Sequence, residues 1–277
     1  MLIAPHRVHF HYLSPNAPII MVPAYVNGKG PFEFIVDTGN GEFAVLLSQK
    51  LAGTLEIDTK DFESKSGYAV NVDTSFKTGK IDQFELAGIP VKDCRAGISG
   101  ALDQLQERGQ GRIKIDGNVG APFLRQYALT FDFKHFTLDL EVPKDKPKGT
   151  PFTAGIKKPL IMVNVEAGGK RYKFALDTGA SQTCISKRCA EALNLEVGRK
   201  ISLNGSGVQD GFFTTLPSLK VGSAIQHDLQ VVAADFLSSL SKELGSDVDG
   251  VIGQNFWSKY KMTIDYPHKR LVFADPN

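Results

Sequence analysis

The sequence predicts an all-β protein built as two homologous β-rich lobes with few short helices. Three observations carry that expectation. The 277 residues include 27 glycines and 14 prolines, about one breaker in seven, which leaves little room for long helices. Apolar residues come in short alternating or continuous stretches bounded by turn residues, the pattern of strands. The chain also matches itself at two places, with a unit too long for a solenoid.

The strongest internal match aligns residues 115–140 with 248–273 without a gap. Asp116, Gly117, Gly120, Phe123, Tyr127, Thr130, Asp132, His135 and Leu138 meet Asp249, Gly250, Gly253, Phe256, Tyr260, Thr263, Asp265, His268 and Leu271. Those nine identities in 26 positions stand against about two expected by chance. Residues 18–39 match 159–179 in the same way, and Asp93 registers with Asp228 between them. The organisation read from this is an N-terminal arm (1–17), a first lobe (18–142), a linker (143–158) and a second lobe (159–277).

Each element then has a local reason. In the arm, Val8, Phe10 and Tyr12 alternate with His9 and His11, which predicts one further strand. His6, His9 and His11 read as its exposed face rather than a metal site, since no clustered cysteines or acids accompany them. In the first lobe, strands around residues 19–26 and 32–36 flank Asn27-Gly28, a strong hairpin turn. Gly168-Gly169 takes that place in the second lobe. Ser48 and Ser186 stand where they can cap short helices. The linker, rich in proline and lysine from Pro143 to Pro159, reads as an exposed connector.

Composition excludes several classes. A net charge of +2 with 42% hydrophobic residues argues against a disordered chain, a collagen or a highly charged nucleic-acid binder. No apolar run reaches the roughly 18 residues of a membrane span. The first residues lack the basic start and continuous apolar stretch of a signal peptide, so the expectation is a cytosolic protein or a mature exported form. Three cysteines cannot all pair. Cys184 and Cys189 are poorly spaced for a bridge, and all three read as buried thiols.

The chemistry concentrates in a tripeptide that ends an apolar strand in both repeats: Asp37-Thr38-Gly39 and Asp177-Thr178-Gly179. A single copy would read as a turn. Two copies at equivalent places, each followed by an Asp-Gly-x-apolar-Gly segment after 79 and 72 residues, form a specific pattern.

On these residues the sequence resembles the aspartic proteases of the retropepsin and pepsin type, in particular bacterial retropepsin-like enzymes carrying both halves in one chain. The resemblance implies the acid-protease fold, with two lobes about a pseudo-twofold axis and the two tripeptide loops meeting on it. It implies that Asp37 and Asp177 are the catalytic pair. Thr38 and Thr178 would bond across the axis, and Gly39 and Gly179 would present N–H groups to the carboxyls. It implies no cofactor or metal, a peptide or protein substrate in extended conformation, no nucleic-acid partner and a monomer. Its bacterial relatives tilt the compartment towards the cell envelope.

The physics of the pair is consistent with that resemblance. Two carboxyls about 3 Å apart cannot both ionise and so share one proton. One can then deprotonate a water while the other protonates a carbonyl oxygen, with no covalent intermediate. Such a pair needs a lid to exclude water. Hairpins at Gly67 and Tyr68, and at Gly205, Gly207 and Val208, are the candidates. The alternative function is a retropepsin-like module that binds peptides without cutting them, because a fold does not guarantee chemistry.

Three departures bear on activity. Asn40 and Ala180 follow the two tripeptides, and neither offers a hydroxyl, so sparse bonding to the carboxyls and a less acidic optimum than pepsin's are expected. Asn118 replaces the first apolar residue of the supporting segment, where the second lobe has Val251-Ile252-Gly253. A buried Asn needs partners: either it bonds the first loop, or the first lobe is degraded. Other motifs carry little. The Ser-x-x-Lys matches at Ser239 and Ser258 lack the companion motifs of serine hydrolases. Cys184-x4-Cys189 lacks a second zinc-ligand pair. The repeated pairs Asp116/Asp249, Asp132/Asp265 and His135/His268 read as turn and strand-end residues.

Overall fold

A computed structural model describes residues 6–15, 17–62, 76–108, 113–154, 160–196, 198–204 and 208–275. The arm forms β1 (His6–His9) and β2 (His11–Ser14). The first repeat begins with β3 (Ala17–Val26), β4 (Lys29–Asp37), β5 (Val45–Ser48), α1 (Gln49–Thr54) and β6 (Thr59–Phe62). It continues with β7 (Phe76–Leu86), β8 (Ile89–Ser99), α2 (Gly100–Arg108), β9 (Gly117–Gly120), α3 (Ala121–Leu124), β10 (Ala128–Asp132) and β11 (Thr137–Glu141). A short β12 (Thr150–Pro151) follows. The second repeat opens with β13 (Ile161–Ala167), β14 (Lys170–Leu176), β15 (Cys184–Ser186), α4 (Lys187–Ala192), β16 (Lys200–Asn204) and β17 (Val208–Val221). It closes with β18 (Ala224–Ala234), α5 (Phe236–Leu244), β19 (Gly250–Ile252), α6 (Gln254–Trp257), β20 (Lys261–Asp265) and β21 (Arg270–Ala274). The fold is all-β with two similar lobes and short helices, as the acid-protease resemblance implies.

The two lobe sheets have the same plan. The first runs β2-β3-β4-β9-β5-β8-β7-β6 and the second β13-β14-β19-β15-β18-β17-β16. Apart from the extra edge strand β2, each strand of one has its equivalent at the same position in the other. The backbone repeats in detail as well. Glu56 and Asn194, Asp93 and Asp228, and Phe136 and Lys269 take matching left-handed conformations, with φ between 50° and 55°. Asn27 and Gly28, at φ 50° and 71°, make the hairpin turn expected between β3 and β4. Ser48 and Ser186 cap α1 and α4, accepting from the N–H groups of Leu51 and Cys189 at 3.0 and 3.1 Å.

Period-two burial explains the lobe cores. Ile20, Val22, Ala24 and Val26 of β3 are all fully buried on one face. The opposite face is covered too, because Met21 and Ile35 pack with Leu102 of α2. Met162 and Ala175 pack with Leu237 and Leu240 of α5 in the second lobe. Each lobe sheet is thus buried on both sides near the strand that ends in aspartate.

A third sheet joins the halves, in the order β1-β11-β10-β20-β21-β12. At its centre β10 pairs with β20, placing Thr130 opposite Thr263, its own equivalent in the repeat, with hydroxyls 2.9 Å apart. A residue paired with its own equivalent marks a twofold relation. Trp257 of the second repeat packs on Phe131 and Phe133 of the first, with ring centroids 5.7 and 5.2 Å away. Buried side chains from both repeats make one continuous core.

Two sequence expectations are corrected here. The arm is two strands: β1 edges the joining sheet and β2 edges the first lobe sheet, with the alternation carried through Phe10 between them. The linker is not wholly solvated. Thr150 and Pro151 form β12 on the far edge of the joining sheet, and Phe152 is buried against Tyr266. All three cysteines are buried and unpaired. Among the described residues, no helix is long and apolar enough to cross a membrane.

Candidate active site

β4 and β14 are interior strands of their sheets, each paired in parallel with the strand of the Asp-Gly segment. Asp37 ends β4 opposite Gly120, and Asp177 immediately follows β14, its N–H donating to Ile252. Interior strands of doubly covered sheets are rigid supports, so the side chains at their ends are held firmly. Gly120 and Gly253 let the supporting segments approach the loops closely. A Cβ on Gly120 would meet Phe43 O at 2.1 Å, and one on Gly253 would meet the Gln182 carbonyl carbon at 2.3 Å. That contact is the physical reason for the second glycine of the repeated Asp-Gly segment.

The two loops interlock. The Thr38 N–H donates to Thr178 Oγ1 at 2.9 Å, and the Thr178 N–H donates to Thr38 Oγ1 at 3.0 Å. Thr178 Oγ1 also donates to the Val36 carbonyl at 2.8 Å. Both threonines are fully buried. This reciprocal exchange is a second twofold point, in line with the Thr130–Thr263 pair.

The exchange brings the carboxyls of Asp37 and Asp177 together: a Cβ on Gly179 would lie 2.9 Å from Asp37 Oδ1 and 3.3 Å from Asp177 Oδ1. Each glycine faces the opposite acid. A Cβ on Gly39 would meet the Asp177 carboxyl oxygens at 2.8 and 2.9 Å, and one on Gly179 would meet Asp37 Oδ1 at 2.9 Å. The Gly39 and Gly179 N–H groups donate to their own loop's carboxyl, both at 2.8 Å. Asp37 also accepts from the Asn40 N–H at 3.1 Å and from Asn118 Nδ2 at 2.6 Å. Asn118 in turn accepts from Asn40 Nδ2 at 2.9 Å.

Both aspartates keep a partial opening to solvent while protein atoms crowd their carboxyls. Burial therefore pushes both above the ordinary carboxylate range. For Asp37 the donors Asn118, Gly39 and Asn40 oppose the rise. For Asp177 the charge of Asp37 adds to it. Burial and mutual charge both favour one shared proton over two charges on the pair, the state that proton transfer in both directions requires.

The chain matches the aspartyl protease family over residues 22–123 and again over residues 163–256. It belongs to the aspartyl protease family. The family unit occurs twice, in agreement with a two-repeat, retropepsin-like protease. No curated protein matches the chain.

Within this family member, the site residues expected from sequence fall into two groups. Asp37, Thr38, Gly39, Asp177, Thr178 and Gly179 come together in one place. Of the lid candidates, Gly67, Tyr68, Gly205 and Gly207 lie outside the described residues. Val208 opens β17, opposite Asn204 in register. Sparse bonding to the carboxyls does not hold at Asp37, because Asn118 supplies a donor the apolar pattern lacks. Sequence reasoning missed Tyr266. It is buried close enough to both aspartates for their charges to raise its phenol pKa further, after burial itself. No motif signals it, since its equivalent in the repeat is Phe133. The pairs Asp132/His135 and Asp265/His268 close turns, at 3.1 and 2.8 Å. Asp116 and Asp249 accept from the main chain at Glu33 and Lys173.

Proposed function

We propose that the protein is an aspartic endopeptidase, with Asp37 and Asp177 as the catalytic residues. One observation carries the reading: two carboxyls from duplicated, interlocked loops crowd together at strand ends, each loop's glycine set against the opposite acid, with a raised proton affinity. Water between them attacks the scissile carbonyl carbon as the ionised carboxylate takes its proton. The neutral carboxyl gives its proton to the carbonyl oxygen, leaving a gem-diol. Collapse breaks the C–N bond, and the nitrogen leaves with a proton from the pair. Thr38 and Thr178 keep the carboxyl spacing, and Gly39 and Gly179 make room for it.

The substrate is a peptide or protein segment in extended conformation, bound by its backbone between the pair and the lid segments around Gly67–Tyr68 and Gly205–Val208. Both halves lie in one chain, so a monomer is sufficient.

The test is digestion of a denatured protein mixture between about pH 3 and 7, the span in which paired carboxyls hold one proton. Asp37→Asn and Asp177→Asn serve as controls. Cleavage by the wild type with silence from both variants supports the proposal. Peptide binding without cleavage would identify a binding module, and equal cleavage by all three would refute the assignment.

A further inference from the structure

The two carboxyls differ in what surrounds them. We propose that Asn118, locked in place by Asn40, makes Asp37 the ionised base of the pair and leaves the shared proton on Asp177. This rests on the aspartic-protease reading and adds to it a positioning residue and a direction of proton flow.

The argument is one of one-way donors. An ionised carboxylate only accepts, whereas an amide side chain presents a donor at one end and an acceptor at the other. Asn40 cannot rotate freely, because its Oδ1 accepts from the main-chain N–H groups of Glu42 and Phe43 at 3.2 and 3.4 Å. Its Nδ2 must therefore point to Asn118 Oδ1, at 2.9 Å. That fixes Asn118 with Nδ2 towards Asp37 Oδ2, at 2.6 Å. Backbone donors thus orient a relay that ends on Asp37. With Gly39 and Asn40 on its Oδ1, the Asp37 carboxyl accepts on both oxygens and has no reason to carry the proton.

Among the described residues, the second lobe has no such relay. Ala180 stands at the position of Asn40, and its N–H bonds the Asp177 main-chain carbonyl at 3.3 Å rather than the carboxyl. Val251 occupies the position of Asn118 and packs in an apolar cluster with Leu160, Met162 and Ala175. Among the described residues, the other titratable groups that feel the pair are Tyr266, through both acids, and Cys184, through Asp177. Burial raises both, so they stay neutral across the working range and leave the ordering to the donors.

The steps then have assigned carriers. The water oxygen bonds to the carbonyl carbon as Asp37 takes one water proton, and Asp177 gives its proton to the carbonyl oxygen. On collapse the C–N bond breaks and Asp37 protonates the leaving nitrogen. One gem-diol hydroxyl returns its proton to Asp177, restoring the starting pair.

The experiment is a carbon-13 carboxyl titration of aspartate-labelled protein, assigned with Asp37→Asn and Asp177→Asn, alongside the pH profile of kcat/KM. In the wild type, Asp37 ionises first. Asn118→Val, which copies the second lobe, raises the Asp37 titration and the acidic limb of kcat/KM by at least about one pH unit, a tenfold change in proton affinity. The alkaline limb moves less. Asn40→Ala, which frees Asn118 without altering β9, shifts both in the same direction and decides the matter should Asn118→Val not fold. Asp177 ionising first, or an unmoved Asp37 titration in the variants, overturns the proposal. A wild type with this ordering that cleaves nothing overturns the protease reading alone, whereas cleavage dependent on both aspartates without the shift overturns the Asn118 assignment alone.

Discussion

Replacing Thr178 by valine isolates the bonds that lock the loops together. Valine nearly matches threonine in volume, so no cavity opens at this fully buried position. The change removes the acceptor of the Thr38 N–H and the donor to the Val36 carbonyl. A buried N–H left unsatisfied costs about 1–3 kcal/mol, and losing a further hydrogen bond costs about 1 kcal/mol, for a total of about 2–4 kcal/mol. The Thr178 N–H keeps Thr38 Oγ1, so the loops loosen on one side only. Guanidinium unfolding should show this drop at an unchanged m-value. Because the carboxyl spacing depends on the same bonds, hydrolysis should fall about 100-fold, the scale of a displacement near 1 Å. Thr178→Ser keeps the hydroxyl and loses one methyl, about 1 kcal/mol. Equal stability and activity in the valine and serine variants would show that the hydroxyl does not hold the loops.

Asp177 is raised to about 7 from an ordinary 3.8, by burial first and then by the Asp37 charge. The folded protein therefore binds more protons than the unfolded chain between those values, and its stability falls as pH rises through that window. Asp177→Asn should remove this slope and raise Tm at about pH 8 by about 3 °C or more, seen as a flatter plot of Tm against pH. A Tm profile parallel to that of the wild type would contradict the raised value. Gly39→Ala sets a methyl against the Asp177 oxygens. It should cut cleavage at least about 100-fold while circular dichroism stays unchanged. Trp257→Ala should cost about 3–5 kcal/mol in denaturant unfolding, since the indole is fully buried against Phe131 and Phe133. Trp257→Phe should cost less, because among the described residues the Trp257 N–H has no hydrogen-bond partner to lose.

Much of the architecture was legible in the chain because duplication writes it twice. The repeated Asp-Thr-Gly, the Asn27-Gly28 turn and the Ser48 and Ser186 caps are local features whose chemistry acts over a few residues, and each stands where its spacing placed it. What local patterns could not convey was which strands change sheets. The alternation from Val8 to Tyr12 continues unbroken while the chain leaves the joining sheet for the first lobe sheet, because Phe10 is buried at the crossing. Thr150 and Pro151 carry a linker's composition, and only the vacant edge beside β21 makes them a strand. Asn118 was visible as an anomaly. Its meaning depended on Asn40, 78 residues away, which the fold brings within 2.9 Å. Tyr266 had no signal, because its proximity to the aspartates comes from packing alone.

The joining sheet has a consequence for how such a molecule is controlled. When two separate chains must meet to assemble a pair of acids, dilution takes the pair apart, and concentration becomes a switch. Here β10 and β20 are tethered through one polypeptide, so their pairing is an intramolecular event with a local concentration set by the tether rather than by the cell. Abundance can tune how much of the protein there is, but it cannot set the fraction whose halves are together.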